Sequence, residues 1–217
     1  MTKIDKQAAA ETETTPAPSR GQARREDILR AASDLLIDEG YARFSARGVA
    51  GRAGIRLSHV QYYFAHADDM IVMLLDRFIA EYGDAVRTQF HNASGTPEKR
   101  LRQALSFLLN DPDYRDRCSI FMAEVASLAA RNDTIAEALT RYYMVYQGAL
   151  EALLSEINPA LKGERRAVRA RQCLALIEGS AQTSRYMTAR FVGEANEPAS
   201  DARDLTKAIL RLISTAQ

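Results

Sequence analysis

The sequence predicts an all-α chain: a small three-helix head followed by a larger helical bundle. Three observations carry that prediction. Apolar residues recur at helical spacing from residue 24 almost to the end, no stretch sustains the alternation of a half-buried strand, and prolines and polar turns punctuate the pattern at helix-length intervals. The 217 residues are 47% apolar and 26% charged, with 11 Gly and 6 Pro, which suits a core large enough to fold without staples and excludes collagen-like, low-complexity and wholly disordered classes.

Residues 1–22 mix Thr, Ala, Pro16, Pro18 and Gly21 with little that could pack, and read as an unstructured tail. From Arg24, Ile28, Ala32, Leu35 and Leu36 form one helical stripe with Arg30, Asp34 and Asp38 opposite, and Gly40 stops the helix. Between Phe44 and Phe64 lie two short helical pieces around Gly54. Ser45 and Ser58 are the expected N-caps, and Ser58 with Gln61 fits the capping-box spacing. Two short helices about a turn glycine are the mark of a helix-turn-helix, in which Gly54 takes the left-handed conformation. Val49, Ala50, Ala53, Ile55, Val60 and Phe64 are its expected core.

A long helix is expected over 68–90, with Met70, Met73 or Leu74, Arg77 or Phe78 and Tyr82 inward. Pro97 suits the first turn of the next helix, which runs to about Asn110 and is closed by Pro112. Helices over 117–131 and 134–157 follow, separated by Asn132-Asp133 and ended by Asn158-Pro159. Another spans 164–190 with Val168, Leu174, Ile177 and Ala181 inward, and after a loop carrying Gly193 and Pro198 the last runs over 201–214. The domains expected are a tail (1–22), a helix-turn-helix head (23–66) and a bundle (67–217).

Globally the chain is nearly neutral, with 29 Lys plus Arg against 28 Asp plus Glu. Locally it is not. The 26 residues from Tyr41 to His66 hold Arg43, Arg47, Arg52 and Arg56, two of the three His and no acid, and Arg20, Arg24 and Arg25 precede them. A cationic helix-turn-helix is the footprint of phosphate binding, so double-stranded DNA is the expected partner. No apolar run approaches the roughly 18 residues that span a bilayer, and the first residues lack the apolar region of a signal peptide, so no membrane association and a cytoplasmic location are expected. Cys118 and Cys173, without His or Cys at ligand spacing, read as small buried hydrophobes, with a redox pair as the other reading, and no metal or cofactor is expected.

The run from Gly40 to Ile55, then Val60-Gln61-Tyr62-Tyr63-Phe64 and Asp68-Asp69-Met70, resembles the DNA-binding head of the TetR family of regulators over about 50 residues, Arg24 to Leu74. The remainder agrees with that family only in length and helical pattern, with a faint likeness to BetI-type regulatory domains over Glu164 to Tyr186. The resemblance implies that Ser45 touches a phosphate and that Arg47 reaches the groove, to pair with guanine or to hold phosphate or stay solvated. It implies a contact surface of Arg56, Leu57, Ser58, His59, Gln61, Tyr62 and Tyr63. Gln61 has two competing uses, adenine and the capping box. Tyr63 stands where the family often has a phosphate-binding His, and Tyr62 is expected to be packed. Ala67 replaces the Lys that usually opens the following helix, removing one phosphate contact that Arg52, Arg56 or the basic tail would make good.

In the bundle, Tyr82, Phe90, Phe107, Phe121, Met122, Tyr142, Tyr143, Met144, Tyr146, Tyr186 and Met187 recur at helical spacing, as core or as the walls of an effector cavity. The expected cavity residues are Phe107, Phe121, Tyr142 and Tyr146 with Glu124, Glu178 and Gln182 as polar anchors, Arg185 being a further candidate anchor. Leu205, Ala208 or Ile209 and Leu212 form an apolar stripe beside a thin face at Gly179, Ser180 and Ala181. By resemblance, Ile177, Ala181, Leu205, Ile209 and Leu212 join two subunits; the alternative is that the stripe only closes the core. No catalytic or phosphate-loop motif is present, so no enzyme is expected. The function expected is a homodimeric, ligand-responsive repressor acting on a palindromic operator. The alternatives are an effector-independent regulator or activator and a helical protein-interaction module.

Overall fold

The computed structural model describes residues 19–91, 95–110, 112–190 and 198–214, and side chains within these except at 81–91, 109–115, 184–190, 198–202 and 214. Residues 1–18 of the expected tail, the side chains of Tyr82, Phe90, Arg185, Tyr186 and Met187, and Gly193 lie outside the described residues. The described residues form α1 (Arg20–Glu39), a 3₁₀ turn (Tyr41–Arg43), α2 (Ala46–Ala53), α3 (Leu57–Tyr63), α4 (Ala67–His91), α5 (Pro97–Asn110), α6 (Pro112–Ala129), α7 (Asp133–Ile157), α8 (Gly163–Arg190) and α9 (Pro198–Ser214). They contain no strand.

Boundaries depart from the sequence reading where a cap decides them. α1 starts four residues before Arg24 because Ser19 and Gln22 form a capping box: Gln22 N–H donates to Ser19 Oγ at 3.2 Å, and Ser19 N–H to Gln22 Oε1 at 2.8 Å. Residues 20–22 are therefore helix, not tail. α3 starts at Leu57 with Arg56 as its N-cap and no side-chain cap, so Ser58 does not cap it and the Ser58–Gln61 capping box does not form. α6 begins at Pro112, five residues before the expected start, since proline is tolerated in a first turn that needs no N–H.

Two hydrophobic cores are built. The first joins Ile28, Leu29, Ala32, Leu35 and Leu36 of α1, Val49, Ala50, Val60 and Phe64 of the helix-turn-helix, Met70, Ile71, Leu74 and Leu75 of α4, Phe121, Met122 and Val125 of α6, and Ile135, Ala138 and Tyr142 of α7. The second joins Leu101, Ala104 and Leu105 of α5, Leu150, Leu153 and Leu154 of α7, Ala170, Cys173 and Ile177 of α8, and Leu205, Ile209 and Ile213 of α9. Val168, expected inward, is exposed, and Ala170 and Cys173 fill the inner face of α8 instead. Ala53, Ile55 and Leu57 are only partly buried against the first core. Both cysteines are free thiols, and burial pushes Cys173 up to about 11, which makes it inert at neutral pH.

Gly54 ends α2 at φ 65° and ψ 32°, the left-handed region, with open space where a Cβ would stand. Its requirement is therefore conformational rather than steric. Gly54→Ala is expected to cost about 1–2 kcal/mol and lower Tm, whereas Gly51→Ala, in the exposed helical interior of α2 with nothing within 4 Å, is expected to stabilise by up to about 1 kcal/mol. Thermal melts of the two variants check the opposite signs.

Candidate nucleic-acid interface and bundle site

α2 and α3 cross closely because their junctions are small and capped. Ser45 is the N-cap of α2, its Oγ accepting from Gly48 N–H at 3.0 Å. A Cβ on Gly48 would meet the Arg43 carbonyl oxygen at 2.6 Å, so only glycine lets the chain pass there. Gly54 N–H returns to Ala50 and Gly51 carbonyls, turning the chain into α3.

That turn leaves Ser45, Arg47, Arg56, Ser58, His59, Gln61 and Tyr62 exposed at one end of the molecule. Without the capping box, the Gln61 amide is not committed to the α3 backbone. Tyr62, expected to pack, is 82% exposed, its ring edge-on to Tyr63 at 5.0 Å. Tyr63 is instead the half-buried member, packed on the first core. Leu57 is also turned partly into that core, which leaves less of it for a groove.

The seven guanidiniums near this face are not equivalent. Arg52 is held by Asp38 and Glu39 of α1, the latter at 3.5 Å, so it is a brace between α1 and α2. Arg25 lies over the Phe64 ring at 5.6 Å and reaches Met73 Sδ. Arg20 and Arg24 are different: with Gly21, His59, Tyr62 and Tyr63 they line a cleft of about 330 Å³ between the first turn of α1 and the recognition helix α3. The expectation of a basic tail gives these two arginines no fixed place. The signal that does is the Ser19-x-x-Gln22 capping box, which carries both onto α1.

At the start of α4, Asp69 accepts from His66 N–H at 2.9 Å and caps the helix. Asp68 accepts from Asn132 Nδ2 at 2.7 Å and from the Tyr41 phenol. Burial first, and then Asp68, hold that phenol above its usual pKa. Tyr41 N–H donates to Glu124 Oε2 at 3.3 Å, Arg117 of α6 pairs with Asp34 of α1, and Arg77 of α4 pairs with Glu26 at 2.9 Å. Glu124, expected as an effector anchor, thus faces the head.

Other bundle expectations divide in the same way. Phe121 is fully buried, stacked on Phe78 with centroids 4.4 Å apart, and Tyr142 is buried in the same core, so both are packing residues rather than cavity walls. Gln182 Nε2 donates to the Ser119 carbonyl at 3.0 Å, tying α8 to α6. Phe107 is half-buried on α5. Glu178 remains a half-buried carboxyl whose pKa burial raises, close enough to Tyr143 for its charge to help burial push that phenol up to about 12. Tyr142 packs against both Tyr143 and Tyr146, at 5.3 and 4.7 Å between ring centroids.

Ile177, Leu205 and Ile209 are buried in the second core, and Ala181 and Leu212 pack partly against it. These five close the chain's own bundle, which is the intrachain alternative for the stripe. The exposed face of α8 is instead Val168, Gln172, Ala175, Leu176, Gly179 and Thr183.

The carboxyl of Glu178 carries a pH consequence. Its folded pKa lies above the ordinary carboxylate value, so the unfolded chain releases its proton first as pH rises, and the folded state loses stability from about pH 4.5 upward through the shifted value. Glu178→Gln removes that loss. The expected result is a higher Tm than wild type at pH 7, and a difference that vanishes near pH 4, read by calorimetry across the pH series.

No protein-family model matches the chain. A helix-turn-helix-type transcriptional regulator from the dhlA 5′ region of Xanthobacter autotrophicus is 30% identical over 145 residues, 66% of this chain and 70% of that protein. Among solved structures, a TetR transcription regulator from Haloarcula marismortui superposes at a TM-score of 0.68 with 20% identity, covering 88% of this chain and 97% of its own. A transcriptional regulator from Saccharomonospora viridis in complex with choline gives 0.70 with 18% identity, over 91% and 98% of the two chains. The regulator FadR of Bacillus subtilis in complex with stearoyl-CoA gives 0.65 with 15% identity, over 89% and 99%. These structures share the fold, and the Xanthobacter relative shares the sequence. The head-and-bundle architecture, the Gly54 turn and that relative together establish that the chain belongs to the TetR family of helix-turn-helix transcriptional regulators, proteins that bind DNA.

Proposed function

We propose that the chain is a ligand-responsive repressor that acts as a homodimer on a palindromic operator, its head (23–66, extended to Arg20 by α1) reading DNA and its bundle (67–217) dimerising and binding a small-molecule effector. The observation that carries the reading is the exposed polar surface of α3 flanked by uncommitted arginines on both sides. Ser58, His59 and Gln61 lie on the early turns of α3, which are the ones that meet base edges. The Gln61 amide suits adenine and Arg47 suits guanine. Ser45, Arg56 and Tyr63 serve phosphates, and the exposed Tyr62 ring lies against sugar or a thymine methyl. Arg20 and Arg24 grip a further phosphate in the cleft beside Tyr63, standing in for the lysine that Ala67 replaces. A second copy seated on the exposed face of α8, at Val168, Ala175, Leu176 and Gly179, sets two recognition helices about one DNA turn, ~34 Å, apart. The choline and stearoyl-CoA complexes of structural neighbours support an effector in the bundle.

Fluorescence anisotropy against the chain's own upstream intergenic DNA, with an unrelated duplex as competitor over a salt series, tests the reading. Nanomolar binding that survives the competitor, at two protomers per site, is the expected outcome. Equal binding to both duplexes, or none, favours the protein-interaction reading, and binding no small molecule releases favours the effector-independent one. Within this assay, Arg47→Ala is expected to weaken binding by about 1–3 kcal/mol and relax specificity at one base pair. Arg24→Ala weakens all sequences alike and lowers the salt slope by about one. Arg52→Ala leaves the slope unchanged, because its charge is already paired.

Transmission runs through α4 and, by a second route, through α6. Glu124, Arg117 and the Asp68–Asn132 hydrogen bond tie the bundle to α1 and the 3₁₀ turn. Glu124→Ala with Arg117→Ala is expected to leave operator affinity without effector within a few fold while reducing the loss of affinity that effector causes. Unaltered effector response in the double variant, measured by the same anisotropy, would remove α6 from the path.

A further inference from the structure

The seam where α1 meets α4 and α6 holds a small cavity of about 150 Å³, lined by no residue of the recognition helix and none of α5, α7 or α8. On α1 its wall is Arg30, Ser33, Asp34 and Ile37, whose spacing of i, i+3, i+4 and i+7 makes one stripe of that helix. Leu74, Arg77 and Phe78 of α4 form the facing wall, and Arg117 of α6 completes it. Three guanidiniums, one from each helix, thus share a small opening with a single carboxylate, Asp34, which pairs with Arg117. The acids that answer the other two stand outside the lining with side chains more than half exposed: Glu26 meets Arg77 at 2.9 Å and Asp27 meets Arg30 at 3.5 Å. Pairs so exposed hold weakly and exchange readily. Among the described residues Arg30 and Arg117 each meet an acid through one nitrogen only, whereas a guanidinium fork can engage both oxygens of one carboxylate. The floor is of another kind, since Leu74 belongs to the first core and Ile37 packs against it.

That lining selects its occupant. A cation would face three guanidiniums and a carboxylate already paired, and is repelled. A neutral apolar molecule fits the floor and makes no use of the charged rim. Phosphate suits the guanidiniums, but its second charge meets Asp34 and its remaining oxygens meet an apolar floor that cannot bond them. A monocarboxylate on a compact apolar body answers both halves, its two oxygens on the forks of Arg30 and Arg117 and its body over Ile37 and Leu74. Size sets the same limit: a cavity of this volume admits a body of roughly benzene size, well short of the roughly 300–1,000 Å³ of sites for larger ligands.

We infer that the junction of head and bundle holds a binding site of its own, for a small monocarboxylate of benzoate size, separate from any effector cavity inside the bundle. The occupant draws Arg117 from Asp34 and Arg77 from Glu26, and so loosens two ties between the bundle side and α1. Binding rests on the cavity alone. Its consequence for DNA rests on the transmission through this junction proposed above.

The experiment is calorimetric titration of the full chain with benzoate, benzyl alcohol, benzylamine and inorganic phosphate at constant ionic strength. The first three share a ring and differ in charge. It is repeated on Arg30→Gln, Arg117→Lys, Ser33→Leu and Arg165→Gln. Ser33→Leu keeps all three guanidiniums and fills the cavity, Arg117→Lys keeps the charge and removes the fork, and Arg165→Gln removes one exposed charge at the start of α8, outside the lining. Benzoate is expected to bind wild type and Arg165→Gln alike, to bind Arg30→Gln and Arg117→Lys roughly tenfold or more weakly, as for loss of a charge-assisted hydrogen bond, and not to bind Ser33→Leu measurably. Arg30→Gln, at an exposed position of α1, decides the matter should Ser33→Leu not fold. Equal or tighter binding of phosphate, benzylamine or benzyl alcohol overturns the inference. So does equal binding of benzoate to wild type and Arg30→Gln, or no binding of benzoate at millimolar concentration. In the anisotropy assay benzoate is expected to lower operator affinity of wild type, and to need roughly tenfold more to do so in Arg30→Gln. Benzoate bound through Arg30 that leaves DNA affinity unchanged sinks transmission through this junction and keeps the site. Release of DNA by benzoate at the same concentration in wild type and Arg30→Gln overturns the site.

Discussion

The helix-turn-helix and the first layer of the bundle bury their side chains in one continuous core, and the behaviour of the whole molecule depends on that sharing. A head of about 45 residues buries too small a fraction of its surface to fold securely alone. Here Leu35, Val49, Val60 and Phe64 pack into the same cluster as Leu74, Phe78, Phe121 and Tyr142, with Phe78 and Phe121 stacked near its centre. The recognition helix therefore has no orientation independent of α4 and α6. Close-packed interiors transmit displacement rather than absorb it, so a shift of α6 by a fraction of a helix turn must be answered by α1 and, through α1, by α2 and α3.

Around this core the acidic residues near the head do structural work. Asp38 and Glu39 neutralise Arg52, Asp69 caps α4, Asp68 joins Tyr41 to Asn132, and Asp34 and Glu26 meet arginines of the bundle side. Positive charge that remains uncommitted is thereby left on Arg43 and Arg47 around the start of α2, on Arg56 at the start of α3, and on Arg20 and Arg24 of α1 beside His59, Tyr62 and Tyr63. The local excess of arginine read from residues 41–66 overstates the charge that α2 and α3 can offer a phosphate, since Arg52 is spent. It misses the part supplied by α1. Net charge over a window is a fair guide to the presence of such a face and a poor one to its composition, because pairing acts across elements that the window does not contain.

How much was legible follows the range of the interaction concerned. The Gly54 turn, the Ser45 cap and the helices of the bundle are local in cause, and periodicity with capping chemistry placed them to within a few residues. At α3 spacing misplaces the cap: Ser58 is the residue expected and Arg56 takes the position, because the tertiary position of the turn sets where the helix begins. Long-range assignments fared worst. Glu124 lies on α6 among inward residues, yet it points to the 3₁₀ turn 83 residues before it. Leu205 and Ile209 form an amphipathic stripe, but a stripe specifies only that something covers it, and α5 and α8 do so within the chain. Tyr62 and Tyr63 are adjacent, and which of them packs depends on how α3 is seated on the first core, which only the tertiary fold decides.

The energies available at the head–bundle junction bear on how an effector could act. Arg117–Asp34 and Arg77–Glu26 are partly exposed pairs, each worth at most about 1 kcal/mol. The Tyr41–Glu124 and Asp68–Asn132 hydrogen bonds are of the same order, about 1 kcal/mol each. Allosteric coupling of the usual size, about 1–3 kcal/mol, equals the breaking of two or three such interactions. Opening the shared core would cost far more, since a single large side chain such as Phe121 contributes about 3–5 kcal/mol. On the ligand-responsive reading proposed above, an effector in the bundle would exchange one set of junction interactions for another while the core stays closed, and the head would turn as a rigid body with α4. The coupling would then be set at the polar junction and the direction of motion by the apolar core.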